Sequence, residues 1–367
     1  MDTSCYPASV CAQLKVQTIN YKQEVSAVKV TLIGIDLAKN VFQVCGVNQA
    51  GKQVFNKAIK RSRLSEFLAQ HAGVPIAMEA CSGSNYWGRT FAAAGYEVKL
   101  IPPQHVKPFV KGNKNDRNDA FAICEAAGRP QLKAVTPRTL EQTDIMLVHR
   151  IRERRVAART ALINQIRGLL TEYGIVLAQG KNTLKAALPE LLESAANGLT
   201  VMAREQFLGL LEEWQAHDAG IEANEKTIKG HSRTCAGATR LMAMKGIGEI
   251  TATALVAYAG NGVGYHNGRH FSASLGLIPR EHSSGGKQRL GSITKRGNGY
   301  LRHLLIQGAW SILRYAEKSQ DRLSVWARKV AARRGKHKAA IAVANKLARI
   351  AWTLLFFQRD YNAHTVV

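Results

Sequence analysis

The run Thr31-Leu-Ile-Gly-Ile-Asp36 decides how the rest of the chain reads. It is an apolar, β-rich stretch that closes on a carboxylate, and Ile76-Ala-Met-Glu79 repeats the arrangement further on. Working outward, Val28 to Ile35 and Val41 to Val47 predict strands, and Gln53 to Ile59 predicts a third after the polar turn that Gly51 opens. Ser62 to His71 predicts a helix, Val74 to Met78 a short strand, and Asn85 to Ala94 a second helix. Glu97 to Ile101 predicts a strand stopped by Pro102 and Pro103. Strands in series followed by strand and helix in alternation predict an α/β domain on a mixed sheet over residues 28–130.

The acids of this domain are its candidate chemistry. Asp36 and Glu79 each have an ordinary role open to them, capping the turn that follows a strand. Two strand-terminal acids in one domain point instead to a shared site. Asp116 and Asp119, in Lys114-Asn-Asp-Arg-Asn-Asp-Ala, stand three apart at the start of a predicted helix, on one face of it. Complementing the helix dipole is the plain reading of both. Like charges at that spacing repel, however, unless a cation lies between them. Oxygen-only ligands suit magnesium, with manganese as the alternative, and two such ions about 4 Å apart assist both the attacking and the leaving oxygen in phosphoryl transfer.

Beyond this domain the charge is the main guide. Lys and Arg number 51 against 26 Asp and Glu in 367 residues, a formal excess of +25 that makes nucleic acid the expected partner. No stretch reads as the uninterrupted apolar span that a membrane helix needs, so no membrane partner is expected. Residues 1–27 lack the pattern of a secretory signal and predict a loosely ordered extension. The six cysteines include no CxxC pair, which argues against a structural zinc or a disulfide framework and predicts a reducing, bacterial cytoplasmic setting. After Gly128, Pro130 and Pro137, residues 138–232 predict a helical, coiled-coil-like region. Its first helix, Leu140 to Tyr173, carries Arg150, Arg154, Arg155, Arg159 and Arg167 on one face, either solvated or laid on a phosphate backbone. Leu184 to Ile228 is also helical in pattern and richer in Glu, which suits a spacer or an oligomer contact.

Residues 235–357 predict a third, mainly α, domain. Met244-Lys-Gly-Ile-Gly-Glu-Ile-Thr reads as a helix-hairpin-helix, whose Lys245, Gly246 and Gly248 are candidate phosphate contacts. A simple glycine corner is the other reading. Arg280 to Lys287, Arg-Glu-His-Ser-Ser-Gly-Gly-Lys, is dense in glycine and serine and predicts a flexible loop with phosphate contacts at Arg280 and Lys287. Lys295 and Arg296, in Gly291-Ser-Ile-Thr-Lys-Arg-Gly-Asn, and Arg333 and Arg334, in a basic turn before the helix Ala339 to Leu355, complete the expected nucleic-acid contacts. His266 and His270 have the spacing of metal ligands on a helix, but Gly268 between them speaks against a helix and so against zinc.

Gly34-Ile-Asp36-Leu-Ala-Lys, Met78-Glu79-Ala and Lys114-Asn-Asp116-Arg-Asn-Asp119-Ala resemble the DEDD motif of the insertion-sequence-110 family of transposases. The later block, Gly276-Leu-Ile-Pro, Ser284-Gly, Gly291-Ser-Ile-Thr-Lys-Arg-Gly-Asn and Leu301-Arg, is similar to that family's second motif set. The resemblance implies a RuvC-like, RNase H fold domain in which Asp36, Glu79, Asp116 and Asp119 bind the metal. It also implies a catalytic serine at Ser284, with Ser283 as the near alternative. Donor and target DNA, a structured non-coding guide RNA and assembly as a dimer of dimers are the partners it implies. Two rivals remain: a RuvC-type Holliday-junction resolvase that uses water as nucleophile, and a non-enzymatic nucleic-acid-binding protein in which the acids are structural. The serine-glycine block argues against the first, and the acids at all four motif positions argue against the second.

Overall fold

The computed structural model describes residues 29–112, 115–132 and 134–363. The predicted extension, residues 1–27, lies outside them. Five strands form the first sheet: β1 (Leu32–Asp36), β2 (Val41–Val47), β3 (Gln53–Lys60), β4 (Ile76–Glu79) and β5 (Val98–Ile101), in the order β3-β2-β1-β4-β5. The first three form an antiparallel meander, whereas β4 lies parallel to both β1 and β5. The mixed sheet is therefore as expected. Helices α1 (Leu64–Ala69), α2 (Ser84–Ala93), the single turn α3 (Pro103–Val106) and α4 (Asp116–Ala127) accompany it.

Alternation along the strands sorts the sheet's two faces. Ile33, Ile35, Phe42, Val44 and Met78 point one way, against Leu64, Trp87 and Phe91 from α1 and α2. Cys45 and Val47 point the other way, against Ala120 and Cys124 of α4. Because both faces are covered, β2 is apolar almost throughout and buried from Phe42 to Val47. Gly34 is what lets α4 lie so near: a Cβ there would stand 2.6 Å from Cys124 Sγ and 2.7 Å from the Ala120 carbonyl oxygen. Any side chain at this position pushes α4 off the sheet. The described cysteines, Cys45, Cys81, Cys124 and Cys235, are all free thiols.

The 33-residue helix α5 (Leu140–Glu172) starts at a capping box, where Thr139 Oγ1 accepts from the Gln142 amide and the Gln142 side chain accepts from the Thr139 amide. Its first turns are a junction. Arg89 of α2 donates to the Arg138 carbonyl, while Gln142 donates to the Val256 carbonyl in the C-terminal region. The predicted single stretch Leu184 to Ile228 is two helices, α6 (Lys181–Glu193) and α7 (Val201–Thr234). Between them Asn197 donates to the Leu191 carbonyl, Arg204 donates to the Leu191 and Leu192 carbonyls, and Thr200 caps α7.

The α7 helix runs antiparallel to α5, and Arg155 and Arg159, two of the arginines predicted for solvent or phosphate, lie between them together with Arg152. Arg152 pairs with Glu225, Arg155 donates to the Gly220 carbonyl and Asn224, and Arg159 pairs with Asp218. Arg167 donates to the carbonyls of Leu177, Ala178 and Gly180. Of the five arginines named, three thus staple the helical arm together, and Arg150 pairs with Glu153 on α5 itself. Leu162, Ile166, Leu184, Phe207 and Trp214 fill the arm's core.

The C-terminal region comprises α8 (Ala236–Met242), α9 (Glu249–Ala259), α10 (Gly268–Ser274), the strands β6 (Pro279–Glu281) and β7 (Leu290–Ile293), α11 (Gly299–Tyr315), α12 (Arg322–Arg334) and α13 (Lys336–Phe357). Phe271, Leu301, Leu305, Val343 and Leu347 lie at the centre of one large core. The α10 helix starts at Gly268 itself, capped by Asn267, so the glycine begins a helix that excludes His266. Contrary to the membrane expectation, α13 is long and apolar enough to cross a membrane by length and composition, with a mean hydropathy of 1.4 over its best window. Half of that window is buried in the C-terminal core.

Candidate active site

Because β1 and β4 are parallel neighbours with Ile35 opposite Met78, the residues that end the two strands stand side by side. These are Asp36 and Glu79, both half-buried. Their convergence registers at Cys81, whose thiol is pushed up by burial and then further by the negative charges of Glu79 and Asp36.

A polar chain fixes the start of α4 to the same edge of the sheet. Gln43, the cross-strand partner of Asp36, donates to Asn56 Oδ1 at 2.6 Å, and Asn56 Nδ2 donates to the Arg117 carbonyl at 3.0 Å. Asn115 caps the helix by accepting from the Asn118 amide, and Asn118 donates to the Lys111 carbonyl. Asp119 is half-buried on this turn and Asp116 is exposed. Among the described residues no three His, Cys, Asp or Glu side chains gather tightly enough to hold a metal ion. What the fold provides is a strand-end pair, with two further acids on a helix start tied to the same edge. As a donor set, hard carboxylate oxygens fit magnesium or manganese better than zinc. The Gln43 and Asn56 link escaped the sequence reading. Its only trace there is a lone glutamine inside an otherwise apolar strand.

The glycine-serine stretch is a β-hairpin, not the flexible loop expected. Strands β6 and β7 pair antiparallel, and at their tip the Lys287 amide donates to the Ser284 carbonyl at 3.1 Å. Between them Gly285 and Gly286 have φ of 55° and 74°. Positive φ at both central positions is a type I′ turn, which glycine adopts without strain and which matches the twist of a two-residue hairpin. Ser283 Oγ donates to Glu281 Oε1 at 2.7 Å and accepts from the Arg289 amide, so it is spent on holding the hairpin. Ser284 is exposed, and its hydroxyl makes no hydrogen bond to any described residue. Arg280 and Lys287 are exposed on the same ribbon. Among the described residues, no hydrogen bond joins Ser284 to the strand-end acids.

The other candidate contacts divide. Lys245 is tied to Asp321 Oδ2 at 2.7 Å and to Ser319. Burial raises the Asp321 carboxyl, but hydrogen bonds from Lys245 and Ser324 outweigh it and hold the group at about 2. Gly246, with φ of 78°, presses its backbone on Gly308 of α11, so this glycine serves helix packing. Gly248 is open and exposed and precedes α9, whose first amides no side chain caps. Lys295 and Arg296 are exposed on a turn seated over Ser274 to Gly276, and Arg333 and Arg334 are exposed at the end of α12.

Two family models match the chain. One of the DEDD type, described as Transposase, covers residues 33–175 and therefore the acids. The other, described as Transposase IS116/IS110/IS902 family, covers residues 238–324 and therefore the hairpin. The transposase for insertion sequence element IS1111A of Coxiella burnetii is 42% identical over 340 residues, 93% of each chain. A probable family 20 transposase of Pseudomonas aeruginosa is 43% identical over 330 residues, 90% of this chain and 98% of its own length. The transposase for insertion sequence element IS1328 of Yersinia enterocolitica is 41% identical over 328 residues, 89% and 96%. With likeness of this depth along nearly its whole length, the chain belongs to the IS110 family of transposases.

Proposed function

We propose that this transposase cuts and rejoins DNA strands to excise and insert an insertion sequence, with Asp36, Glu79, Asp116 and Asp119 as metal-binding acids of a RuvC-like domain and Ser284 as nucleophile. The observation that carries the reading is the pairing of Asp36 and Glu79 at the ends of adjacent parallel strands, on the edge to which α4 is tied. When bound there, a divalent ion supplies Lewis-acid stabilisation of a phosphoryl group and of its leaving oxygen. Ser284 supplies the attacking oxygen: its Oγ bonds to phosphorus, the strand's P–O bond breaks, the hydroxyl proton leaves and the departing oxygen gains one. Arg280 and Lys287 flank that serine and suit the phosphates on either side. Since among the described residues no hydrogen bond ties Ser284 to the acids, the reading brings them together through a second protomer or a domain movement, in keeping with a dimer of dimers. A structured guide RNA accounts for part of the +25 charge in the same reading.

The decisive experiment traps the protein on labelled DNA with magnesium, digests the product and locates the modified peptide by mass spectrometry. The adduct is expected at Ser284 and is lost in Ser284→Ala and in Asp36→Ala, both of which keep parental DNA affinity within about twofold because neither removes a cation. Ser283→Ala keeps the adduct. An adduct on Ser283, or cleavage retained by Asp36→Ala, overturns the assignment, and nicked product with no adduct favours the water-using resolvase.

A further inference from the structure

A groove of about 1120 Å³ runs between the β6–β7 hairpin and α13, on the side of the hairpin that faces Trp326 of α12. Its floor is apolar, formed by Leu277, Ile293, Ile341 and the half-buried Trp326. Its rim is cationic. Lys338, Lys346 and Arg349 follow one another on a single face of α13, and the last two continue into a second, smaller hollow that also takes in Arg269. No carboxylate lines either hollow, and among the described residues none of these four cations has an ion-pair partner. In a chain that ties Arg152, Arg159 and Lys245 to carboxylates, four unpaired cations beside an aromatic floor are a distinct feature. Lys346 Nζ lies 4.6 Å from the centre of the Trp326 ring, and burial together with Arg349 lowers the affinity of this lysine for its proton, a cost that a neighbouring anion relieves. The helix is also anchored at this face, because Asn345 donates to the Leu277 carbonyl and to Ser272.

We propose that this groove binds an unpaired segment of nucleic acid, with a base against the Trp326 and Ile341 wall and the phosphates on Lys338, Lys346 and Arg349. The eleven steps from Lys338 to Arg349 rise about 16 Å along α13, room for two or three nucleotides. A duplex cannot use the floor, since its bases are stacked inside. The ligand class rests on the transposase reading, but the site does not depend on the strand-cleavage residues.

The test uses the full chain and fluorescence anisotropy with three probes: short labelled oligothymidylate, oligouridylate and a DNA duplex. Lys346→Ala with Arg349→Ala, and separately Ile341→Asp on the floor, are expected to weaken single-strand binding about tenfold while duplex binding changes less than twofold. Ile341 is partly exposed, so its variant spares the core, and circular dichroism checks that each variant is folded. Whether the thymidylate or the uridylate suffers more tells a displaced DNA strand from an RNA. Unchanged single-strand affinity, or equal losses on duplex and single strand, overturns the proposal. So does dissociation of the oligomer by these variants with strand binding intact, because the groove then seats a second copy. Single-strand binding that follows these variants in a protein unable to cleave leaves the groove standing and removes the proposed function instead.

Discussion

His149 shows how much a single residue is asked to hold. It is fully buried on α5, with Nδ1 3.0 Å from the Tyr300 hydroxyl of α11 and Nε2 3.0 Å from Thr253 Oγ1 of α9. Thr253 gives its proton to the Glu249 carbonyl, so it accepts from Nε2–H, and Nδ1 must accept from Tyr300. The ring is therefore neutral, and burial, with the charges of Arg152 and His231, lowers its pKa from 6.5 to about 4. A histidine depressed in the folded state stabilises it above the unfolded pKa and loses that contribution as pH falls from about 6.5 towards 4. The full loss is roughly 3 kcal/mol. Urea unfolding at pH 7 and pH 5 is expected to show a steeper acid-side fall in the parent than in His149→Gln; equal falls would mean that His149 takes up its proton without cost. This residue offered no signal in the sequence, where a lone His in a helix has no visible partner. Asp36 and Glu79 did, because a carboxylate that ends an apolar strand is out of keeping with its own run.

At the scale of elements, the α5, α6 and α7 arm depends on Asp218. This one carboxylate takes Arg159 at 2.7 Å, Lys185 at 3.1 Å and Lys181 at 3.3 Å, one cation from α5 and two from α6. Burial raises its pKa, but the three hydrogen bonds prevail and hold it at about 2. Asp218→Asn leaves three cations facing each other without a counter-charge and is expected to cost roughly 2 kcal/mol. It should also remove the parent's loss of stability between pH 4 and 2; a melting temperature within a degree of the parent would contradict the role. Why the arginine face of α5 was misread follows from the same contact. Periodicity places cations on a face but is silent about what packs there, and the Glu and Asp that meet these arginines lie some sixty residues away on α7. The hairpin was missed for the opposite reason, since Gly285-Gly286 is a hairpin turn signal that the surrounding serines and charges obscured. The strands in series and the mixed sheet, by contrast, were legible in their apolar runs and in the strand and helix alternation that follows.

For the whole molecule the governing quantity is charge. An excess of +25 makes association with any nucleic acid fall steeply with salt. Arg333 and Arg334, exposed where α12 ends, are expected to account for part of it. Replacing both with Ala should lower the slope of log affinity against log salt by about two. Filter binding over a salt series measures this directly, and an unchanged slope would make the α12 corner a solvated turn. The same charge is unevenly used, since α5 and Lys245 spend theirs internally while α13, the hairpin and the α12 corner keep theirs outward.

The two-residue turn at Gly285-Gly286 also has a meaning at the level of the gene. In a hairpin so short, the loop length alone sets which face of the ribbon each neighbouring residue occupies. A three-nucleotide deletion within those two codons leaves the reading frame, the core and the acids untouched, yet carries Ser284 to the opposite face. On the proposed role of Ser284, a copy of the element bearing that deletion is expected to make a folded protein that no longer transposes.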